Sequence, residues 1–321
     1  MLLRRWGSRI VPCLFAVACR GAIEPVDPLN TVRVMSFNIL HDVGSVNRGI
    51  PAWYEGRAGL VIENIGTELP DVLGLQEALI WQAESLVVAL PQYDFVGRGR
   101  DAAGTGQSVS ILYRSDRFDL VESGHFWFSD TPDVPGSRGG AEWGTPSTPM
   151  MATWVRLTRR DTGRSFYVYN THLPSDGLAL DGPTARFRGA RLLVERIAAR
   201  TRPDEFFFVT GDFNSTETDP PITYLRGVRC MAGASGCTTP PPPEFLAIDT
   251  WRAGNPADTR TGSECSNTTA GDGDRIDYVF AWNPLGREPR VLDARIVLHG
   301  NTCASDHRAV VVSAQMPASD G

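Results

Sequence analysis

The sequence contains no lysine, so all 31 of its basic residues are arginines, set against 37 acidic residues for a formal net charge of −6. The chain as a whole therefore lacks the broad positive field that draws polyanions toward a protein. This argues against a tight, non-specific nucleic-acid binder, although a local basic groove remains compatible with the composition. GC-rich codon usage explains the arginine bias more simply than a functional demand for guanidinium groups.

The N-terminus lacks an apolar run long enough to span a bilayer. Residues 10–18 are apolar but too few to cross it as a helix. Three arginines precede this run and Ala16-Val17-Ala18 ends it, which is typical of a signal peptide. We therefore predict a signal peptide over residues 1–18 and an exported protein. Cys19 resembles the lipidated cysteine of bacterial lipoproteins, although Ala16 stands where that motif prefers leucine. Lipid anchoring through Cys19 and free secretion to the periplasm or medium both remain open.

Cysteine is scarce, with six in the chain, and two of these lie in the N-terminal segment. Cys230, Cys237, Cys265 and Cys303 remain, and in an oxidising compartment they suggest two disulfides with three possible pairings. Cys230–Cys237 would close a short loop of small residues and is favoured, which leaves Cys265–Cys303. A zinc site is the alternative, but no two of these cysteines have Cys-x-x-Cys spacing.

Apolar periodicity predicts one domain over residues 31–317, preceded by a short linker at 19–30, with no internal repeat. Strands are predicted within residues 31–40, 72–75, 108–114, 152–173 (a hairpin turned at 161–163), 206–210, 275–282, 290–298 and 307–316. Helices are predicted within residues 57–69, 78–90 and 184–202. Because helices and strands do not alternate strictly, a mixed α/β sandwich is favoured over a doubly wound parallel sheet.

Acidic residues, asparagines and histidines stand at six strand ends. They are Asn38, Glu77, Asn170 with His172, Asp212 with Asn214, Asp277, and Asp306 with His307. Any one of them is commonly a turn residue that bonds its own backbone, but six such ends are harder to explain in this way. Carboxylate oxygens suit Mg²⁺, a carboxylate or imidazole can orient water, and neutral donors stabilise phosphoryl charge. The set therefore predicts hydrolysis of phosphoesters.

The segments VMSFNIL, LGLQE, YNTHL, GDFN, RIDYVF and SDH, in this order, resemble the endonuclease/exonuclease/phosphatase superfamily and are distributed within residues 32–312. The resemblance implies a four-layered α/β sandwich of two packed, mixed and mainly antiparallel sheets flanked by helices. It also implies a monomeric metal-dependent hydrolase with Mg²⁺ as cofactor, Mn²⁺ and Ca²⁺ remaining open. The implied substrate is a phosphoester, whether nucleic acid, a small phosphodiester or phosphomonoester, or a phospholipid, and no obligate protein partner is implied.

The resemblance assigns catalytic roles to five residues. They are His172, Asp212, Asn214, Asp277 and His307. Asp212 matches the residue that activates or orients water, and Asp277 matches the carboxylate that orients His307. His172, Asn214 and His307 match groups that contact the phosphate.

Metal binding is assigned by the same resemblance to Asn38, Glu77 and Asp306, and substrate binding to Asn170 and Arg186. A solvated helix face explains Arg186 equally well. In similar bacterial proteins an arginine often precedes the strand that begins here at Ala152, whereas this chain has methionine at positions 150 and 151.

Substrate preference therefore stays open at the level of the sequence. A nucleic acid would need a local basic groove, and six arginines could supply it: Arg98, Arg100, Arg114, Arg117, Arg138 and Arg186. A sphingomyelinase-type lipid phosphodiesterase is one alternative, but it would call for an exposed apolar hairpin that the sequence does not show. The other alternative is a non-catalytic binding protein that retains the fold, which would be expected to have lost one of the acidic or histidine roles.

Overall fold

The computed structural model describes residues 26–42, 50–202, 204–227, 245–258, 262–265, 273–282, 286–297 and 302–317. The predicted signal peptide, Cys19 and the favoured Cys230–Cys237 pair lie outside these residues. None of the described helices is both long and apolar enough to cross a membrane.

The described residues form two six-stranded sheets. In spatial order the first contains β11 (Arg290–Val297), β12 (Ala309–Gln315), β1 (Thr31–Asn38), β2 (Val72–Gln76), β4 (Ile111–Arg114) and β3 (Tyr93–Val96). The second contains β5 (Phe118–Trp127), β6 (Met151–Arg159), β7 (Ser165–His172), β8 (Phe206–Asp212), β10 (Asp277–Trp282) and β9 (Ile248–Asp249). The β1–β2 and β7–β8 pairs are parallel, and the other pairs are antiparallel, so both sheets are mixed.

Helices cover the outer face of each sheet. They are α1 (Arg57–Glu68), α2 (Ile80–Ala89), α3 (Gly182–Arg200) and α4 (Pro220–Leu225), whereas the short α5 (Thr250–Gly254) lies against β10 and β11 and packs Trp251 between the sheets. One apolar cluster joins the outer face of the first sheet to α1 and α2, and another joins the second sheet to α3 and α4. A third cluster lies between the sheets. This arrangement confirms the predicted four-layered α/β sandwich.

Strand β8 shows why its sequence is apolar on both sides. Successive side chains of a strand point to opposite faces of the sheet. Phe206 and Phe208 pack between the two sheets, whereas Phe207 and Val209 pack in the outer cluster with α3 and α4. A strand at the centre of a four-layered sandwich has no solvent face, so the FFFV run is what this position requires.

The predicted hairpin is present as β6 and β7, and the predicted helices correspond to α1, α2 and α3. Strand β5 was not predicted. Of the described strands it pairs with β6 alone, at the edge of the sheet, and its middle residues, including Leu120 and Val121, are exposed. A bulge between Leu120 and Glu122 also breaks the alternation. An exposed, bulged edge strand does not show the two-residue apolar period on which the prediction relied.

The two sheets approach each other closely beneath the ends of β2 and β8. A Cβ at Gly74 would lie 2.0 Å from Thr210 Oγ1 and 2.6 Å from Asn170 Oδ1, so the backbone approach requires glycine. Asn170 is fully buried there and donates to the carbonyl oxygens of Leu75 (2.7 Å) and Ser110 (2.9 Å). These bonds link the second sheet to the first and fix the relative position of their strand ends.

Candidate active site

Strand direction collects the polar residues at one edge of the sandwich. The parallel pairs β1–β2 and β7–β8 end at the same edge, which brings together Asn38, Glu77, His172 and Asp212. Asp212 is in register with His172 on β7 on one side and with Asp277 on β10 on the other. Strand pairing makes neighbours of the residues within each sheet, and the packing of the two sheets brings the two groups together.

Asp212 lies at the centre of this group. Its Oδ2 accepts a hydrogen bond from Asn38 Nδ2 at 3.0 Å and lies 3.4 Å from His172 Nε2 and 3.7 Å from His307 Nε2. Its Oδ1 accepts from the backbone N–H of Asn214 at 2.9 Å. The carboxylate is therefore held from several directions, in the manner of a group whose orientation matters.

His307 and Asp277 form a buried imidazole–carboxylate pair. His307 Nδ1 lies 2.7 Å from Asp277 Oδ2, and Asp277 has no exposed surface. Burial by itself would lower the pKa of His307, but the charges of Asp277 and Asp212 and the hydrogen bond that the ring donates to Asp277 raise that pKa well above its usual value. Burial raises the pKa of Asp277, and the charge of Asp212 raises it further while His307 opposes the rise. The site is thus built to keep the His307 imidazole protonated.

A short segment holds this pair in place. Residues Ser263 to Cys265 run beside the segment that carries His307: Cys265 N–H donates to Asp306 O (2.7 Å), and Arg308 N–H donates to Ser263 O (2.6 Å). Ser263 Oγ accepts from the backbone N–H of Asp277 at 3.2 Å. The predicted Cys265–Cys303 disulfide is confirmed, with 5.9 Å between the Cα atoms. Both members of the pair are therefore tied to one cross-linked segment.

Glu77 follows β2 with a backbone φ of +60°, a left-handed conformation that is uncommon outside glycine. Its Oε2 lies 2.7 Å from His41 Nδ1 and 3.2 Å from Gln107 Nε2. Burial would raise the pKa of Glu77, but the His41 hydrogen bond and the charges of His172, His41 and His307 outweigh it and lower the pKa to about 2. Glu77 is therefore ionised throughout the neutral range. Sequence reasoning missed His41 and Gln107, and the proximity of His41 to Asn38 in the chain was the one available signal.

Asn214 is the second residue of the site in the left-handed region, with a φ of +47°. Asparagine tolerates this conformation better than most residues. Its Nδ2 donates to Leu173 O at 2.8 Å and lies 3.1 Å from His172 Nε2. Strained backbone at both Glu77 and Asn214 is typical of a functional site rather than of a turn chosen for stability.

A cavity of about 510 Å³ opens above this group. Of the predicted site residues, those that line it are Glu77, His172, Asp212, Asn214, Asp306 and His307. Asn38 and Asp277 lie directly beneath, bonded to residues of the lining. The structure therefore brings eight of the ten predicted residues to one place.

Asn170 and Arg186 do not face the cavity. Asn170 joins the two sheets, and its amide is used in that link. Arg186 Nη1 donates to Pro174 O (3.2 Å) and to Asp176 Oδ1 (2.6 Å), which fastens the loop after β7 to α3. Ser175 in that loop lines the cavity, so Arg186 acts on the site through the loop that it holds. These positions do not match the predicted direct contacts with substrate.

A family model described as the Endonuclease/Exonuclease/phosphatase family matches residues 35–307. The chain belongs to this family. It is therefore an enzyme of the metal-dependent class that acts on phosphoester bonds, and the resemblance seen in the six sequence segments is confirmed.

Individual relatives agree with this family assignment. An uncharacterized protein of Acanthamoeba polyphaga mimivirus is 26% identical over 194 residues, covering 58% of this chain and 68% of the viral protein. The structure is similar to that of an endonuclease/exonuclease/phosphatase from Bacteroides vulgatus, with a TM-score of 0.71, 26% identity and coverage of 89% and 99% of the two chains. It is also similar to a mannosyl-6-phosphatase from Bacteroides thetaiotaomicron, with a TM-score of 0.67, 26% identity and coverage of 88% and 98%.

Two groups of side chains could hold the cation that is expected in this family. Atoms of Asp212, Asp277 and His307 all lie within 4.8 Å of one another. The Asp277–His307 hydrogen bond already uses one ligand atom of each, however, so this group is better suited to holding a proton than a metal ion. The ionised Glu77 and the nearby Asp306 line the cavity and supply the oxygen ligands that a hard cation prefers.

Asn38 contributes to this region as a donor. Its Nδ2 points toward Asp212 and toward Glu77 Oε1 at 3.3 Å, and its Oδ1 accepts from Leu40 N–H at 3.1 Å. The predicted role of Asn38 as a metal ligand would require its amide to turn over. In the present orientation Asn38 stabilises the two carboxylates.

The six arginines that the sequence offered for a basic groove do not line one groove in the structure. Five are engaged elsewhere: Arg98 with Ala102 O, Arg114 with Asp116, Arg117 with Asp71, Arg138 with Ser147 O and Arg186 with Asp176. Among the described residues, Arg100 is the one arginine that lines the cavity. Its Nη1 lies 3.7 Å from Sδ of Met150, one of the methionines at the positions where an arginine was expected.

Proposed function

We propose that this family member is an exported, Mg²⁺-dependent phosphoesterase that hydrolyses small phosphoesters by direct attack of water. The observation that carries the proposal is one cavity lined by the ionised Glu77, by Asp212, and by His172 and His307. A volume of about 510 Å³ suits a small molecule. The similarity to a phosphatase that acts on a mannosyl phosphate supports the same class of substrate.

Each polar residue of the cavity has its own role in the proposed reaction. Asp212 orients the attacking water and accepts its proton as the water oxygen bonds to phosphorus and the ester P–O bond breaks; the leaving oxygen keeps the electron pair of that bond and takes a proton from solvent. His172, Asn214 and the protonated His307 donate hydrogen bonds to phosphoryl oxygens as negative charge builds on them. Glu77 and Asp306 would hold Mg²⁺, which when bound stabilises the charge on the phosphoryl group.

Replacing Glu77 by glutamine is expected to abolish hydrolysis at ordinary Mg²⁺ concentrations. The change removes the negative charge, so cation affinity should fall by more than the roughly 10–100-fold that loss of an outer-shell partner costs. The purified protein and the variant would be assayed with Mg²⁺ and with EDTA against phosphomonoester and phosphodiester reporters, sphingomyelin vesicles, RNA and plasmid DNA. Glu84→Gln, on the exposed face of α2, is the matched control and should retain activity.

Two results would count against the proposal. Turnover that persists in EDTA would remove the metal from the mechanism. A folded protein that hydrolyses none of these substrates, and whose unfolding temperature does not change with Mg²⁺, would favour the non-catalytic binding protein.

Export is supported by the charged and apolar pattern of residues 1–18. Expressed in a bacterial host, the protein is expected to lose these residues and to begin at Cys19. Intact-mass spectrometry of the membrane and soluble fractions would distinguish an acylated Cys19 from an unmodified one. A cytoplasmic protein that retains its N-terminal methionine would contradict export.

A further inference from the structure

Arg100 is a positive charge on the wall of the cavity without an ion-pair partner. Its guanidinium is partly buried and forms no salt bridge with any described residue. With the described residues its side chain makes one hydrogen bond, to Met150 Sδ, and sulfur is a weak acceptor. Partial burial lowers the pKa of Arg100, and the charges of Glu77 and Asp101 offset this effect only in part, so an anion bound beside the guanidinium would stabilise its charge. The guanidinium is thus available to an anion that enters the cavity.

The position of Arg100 relates it to the reacting phosphate. Arg100, Gln107 and His172 line both the main cavity and a small recess beside it, so they share one wall. The backbone of Arg100 is fixed by two hydrogen bonds: its N–H donates to Gln107 O (2.9 Å), and its carbonyl oxygen accepts from Trp127 Nε1 (2.7 Å). The guanidinium is therefore held on the His172 side by a braced loop.

The carboxylates of the cavity limit the kind of substrate that Arg100 can help to bind. Carboxylates of Glu77, Glu264 and Asp306 also line it. The cation held by Glu77 and Asp306 would neutralise their charge, but the charge of Glu264 remains, and the further phosphates of a polyanionic strand would meet it with one arginine in the described lining to oppose the repulsion. A substrate with a single phosphoryl group meets no such conflict.

We infer that Arg100 binds the extra charge of a phosphomonoester and makes the site select monoesters over diesters, an inference that rests on the proposed function. A monoester phosphoryl group carries about −1.5 to −2 charges at neutral pH. A phosphodiester has only one ionisable oxygen and carries a single negative charge. One guanidinium on the His172 wall, besides the bound cation, pairs with the second charge that only the monoester has. Arginine is also the side chain whose planar fork fits two phosphate oxygens at once.

The test compares Arg100→Gln with wild type on an aryl phosphomonoester and the matching bis-aryl phosphodiester. The kcat/KM for the monoester should fall roughly 10–100-fold, the range expected for one charge-assisted hydrogen bond, and that for the diester by less than about 3-fold. Arg100→Lys should recover part of the loss. Arg98→Gln removes an equal charge from the same loop and should leave both rates unchanged, because Arg98 bonds to Ala102 O and lies over the Trp127 ring.

A binding measurement keeps the inference separate from the proposed function. By calorimetry in Mg²⁺, wild type should bind inorganic phosphate more tightly than dimethyl phosphate, and Arg100→Gln should lose that difference. If wild type hydrolyses neither ester, the proposed function fails while this comparison still decides the role of Arg100. Equal losses on both esters, or an unchanged phosphate affinity in a folded Arg100→Gln protein, would overturn the inference.

Discussion

Replacement of Asp212 by asparagine is expected to lower kcat by about 10³-fold, within the range that a positioned general base contributes. The amide keeps the size of the side chain and can still accept the hydrogen bond from Asn214 N–H. It cannot take a proton from water, and its NH₂ group would face the NH₂ group of Asn38. Steady-state kinetics at saturating substrate and Mg²⁺ would measure the loss.

A matched substitution separates chemistry from structure. Asp181 caps the N-terminus of α3 by accepting from Thr184 N–H, and it is exposed. Asparagine is an equally good N-cap, so Asp181→Asn should match wild type in both kcat and unfolding temperature. If Asp212→Asn kept more than about one tenth of the wild-type kcat, Asp212 would not be the general base that accepts the proton.

Replacement of His307 by glutamine is expected to lower kcat by roughly 10²–10³-fold, the cost of removing one preorganised donor to a developing oxyanion. The variant also leaves Asp277 buried without its partner, so stability should fall by about 3 kcal/mol. Asp277 has no exposed surface, and among the described residues its Oδ1 already has no hydrogen-bond partner.

The double variant His307→Gln/Asp277→Asn distinguishes these two effects. It removes the stranded carboxylate, so denaturant unfolding should show part of the lost stability restored, whereas kcat should stay as low as in the single variant. Recovery of activity together with stability would mean that His307 only supports the fold.

The single variant Asp277→Asn is expected to change how kcat/KM depends on pH, and the direction of the change follows from the pKa of His307. In the wild type, Asp277 and Asp212 hold the pKa of His307 above 6.5 against the effect of burial, so the imidazolium and its stabilising contribution are present at neutral pH and are lost as pH rises through the raised pKa. Removing one of these charges lowers that pKa. The alkaline limb of the kcat/KM profile should therefore move to lower pH, by roughly one to three units. If the alkaline limb of the kcat/KM profile did not move, a group other than His307 would be responsible for it.

Much of the fold could be predicted from the sequence because a sandwich with helices on both sides has strong local patterns of apolar residues. The central strands are apolar on both faces, as in β8, and the helices between them carry regular apolar spacing. Edge strand β5 was missed because its exposed residues and its bulge remove that periodicity. Its place is set by pairing with β6 and not by its own sequence.

Six site residues could be predicted from the sequence because they stand at strand ends in the order of the family's motifs: Glu77, His172, Asp212, Asn214, Asp277 and His307. Strand pairing brings together those of the second sheet, and the packing of the two sheets adds Glu77 and His307. The positions of the surrounding side chains could be read only from the packed structure. It buried Asn170 between the sheets, turned Arg186 to a loop, and brought His41 to Glu77 and Arg100 to the His172 wall. Those outcomes depend on where loops run and where long side chains point, which long-range packing fixes and local sequence does not.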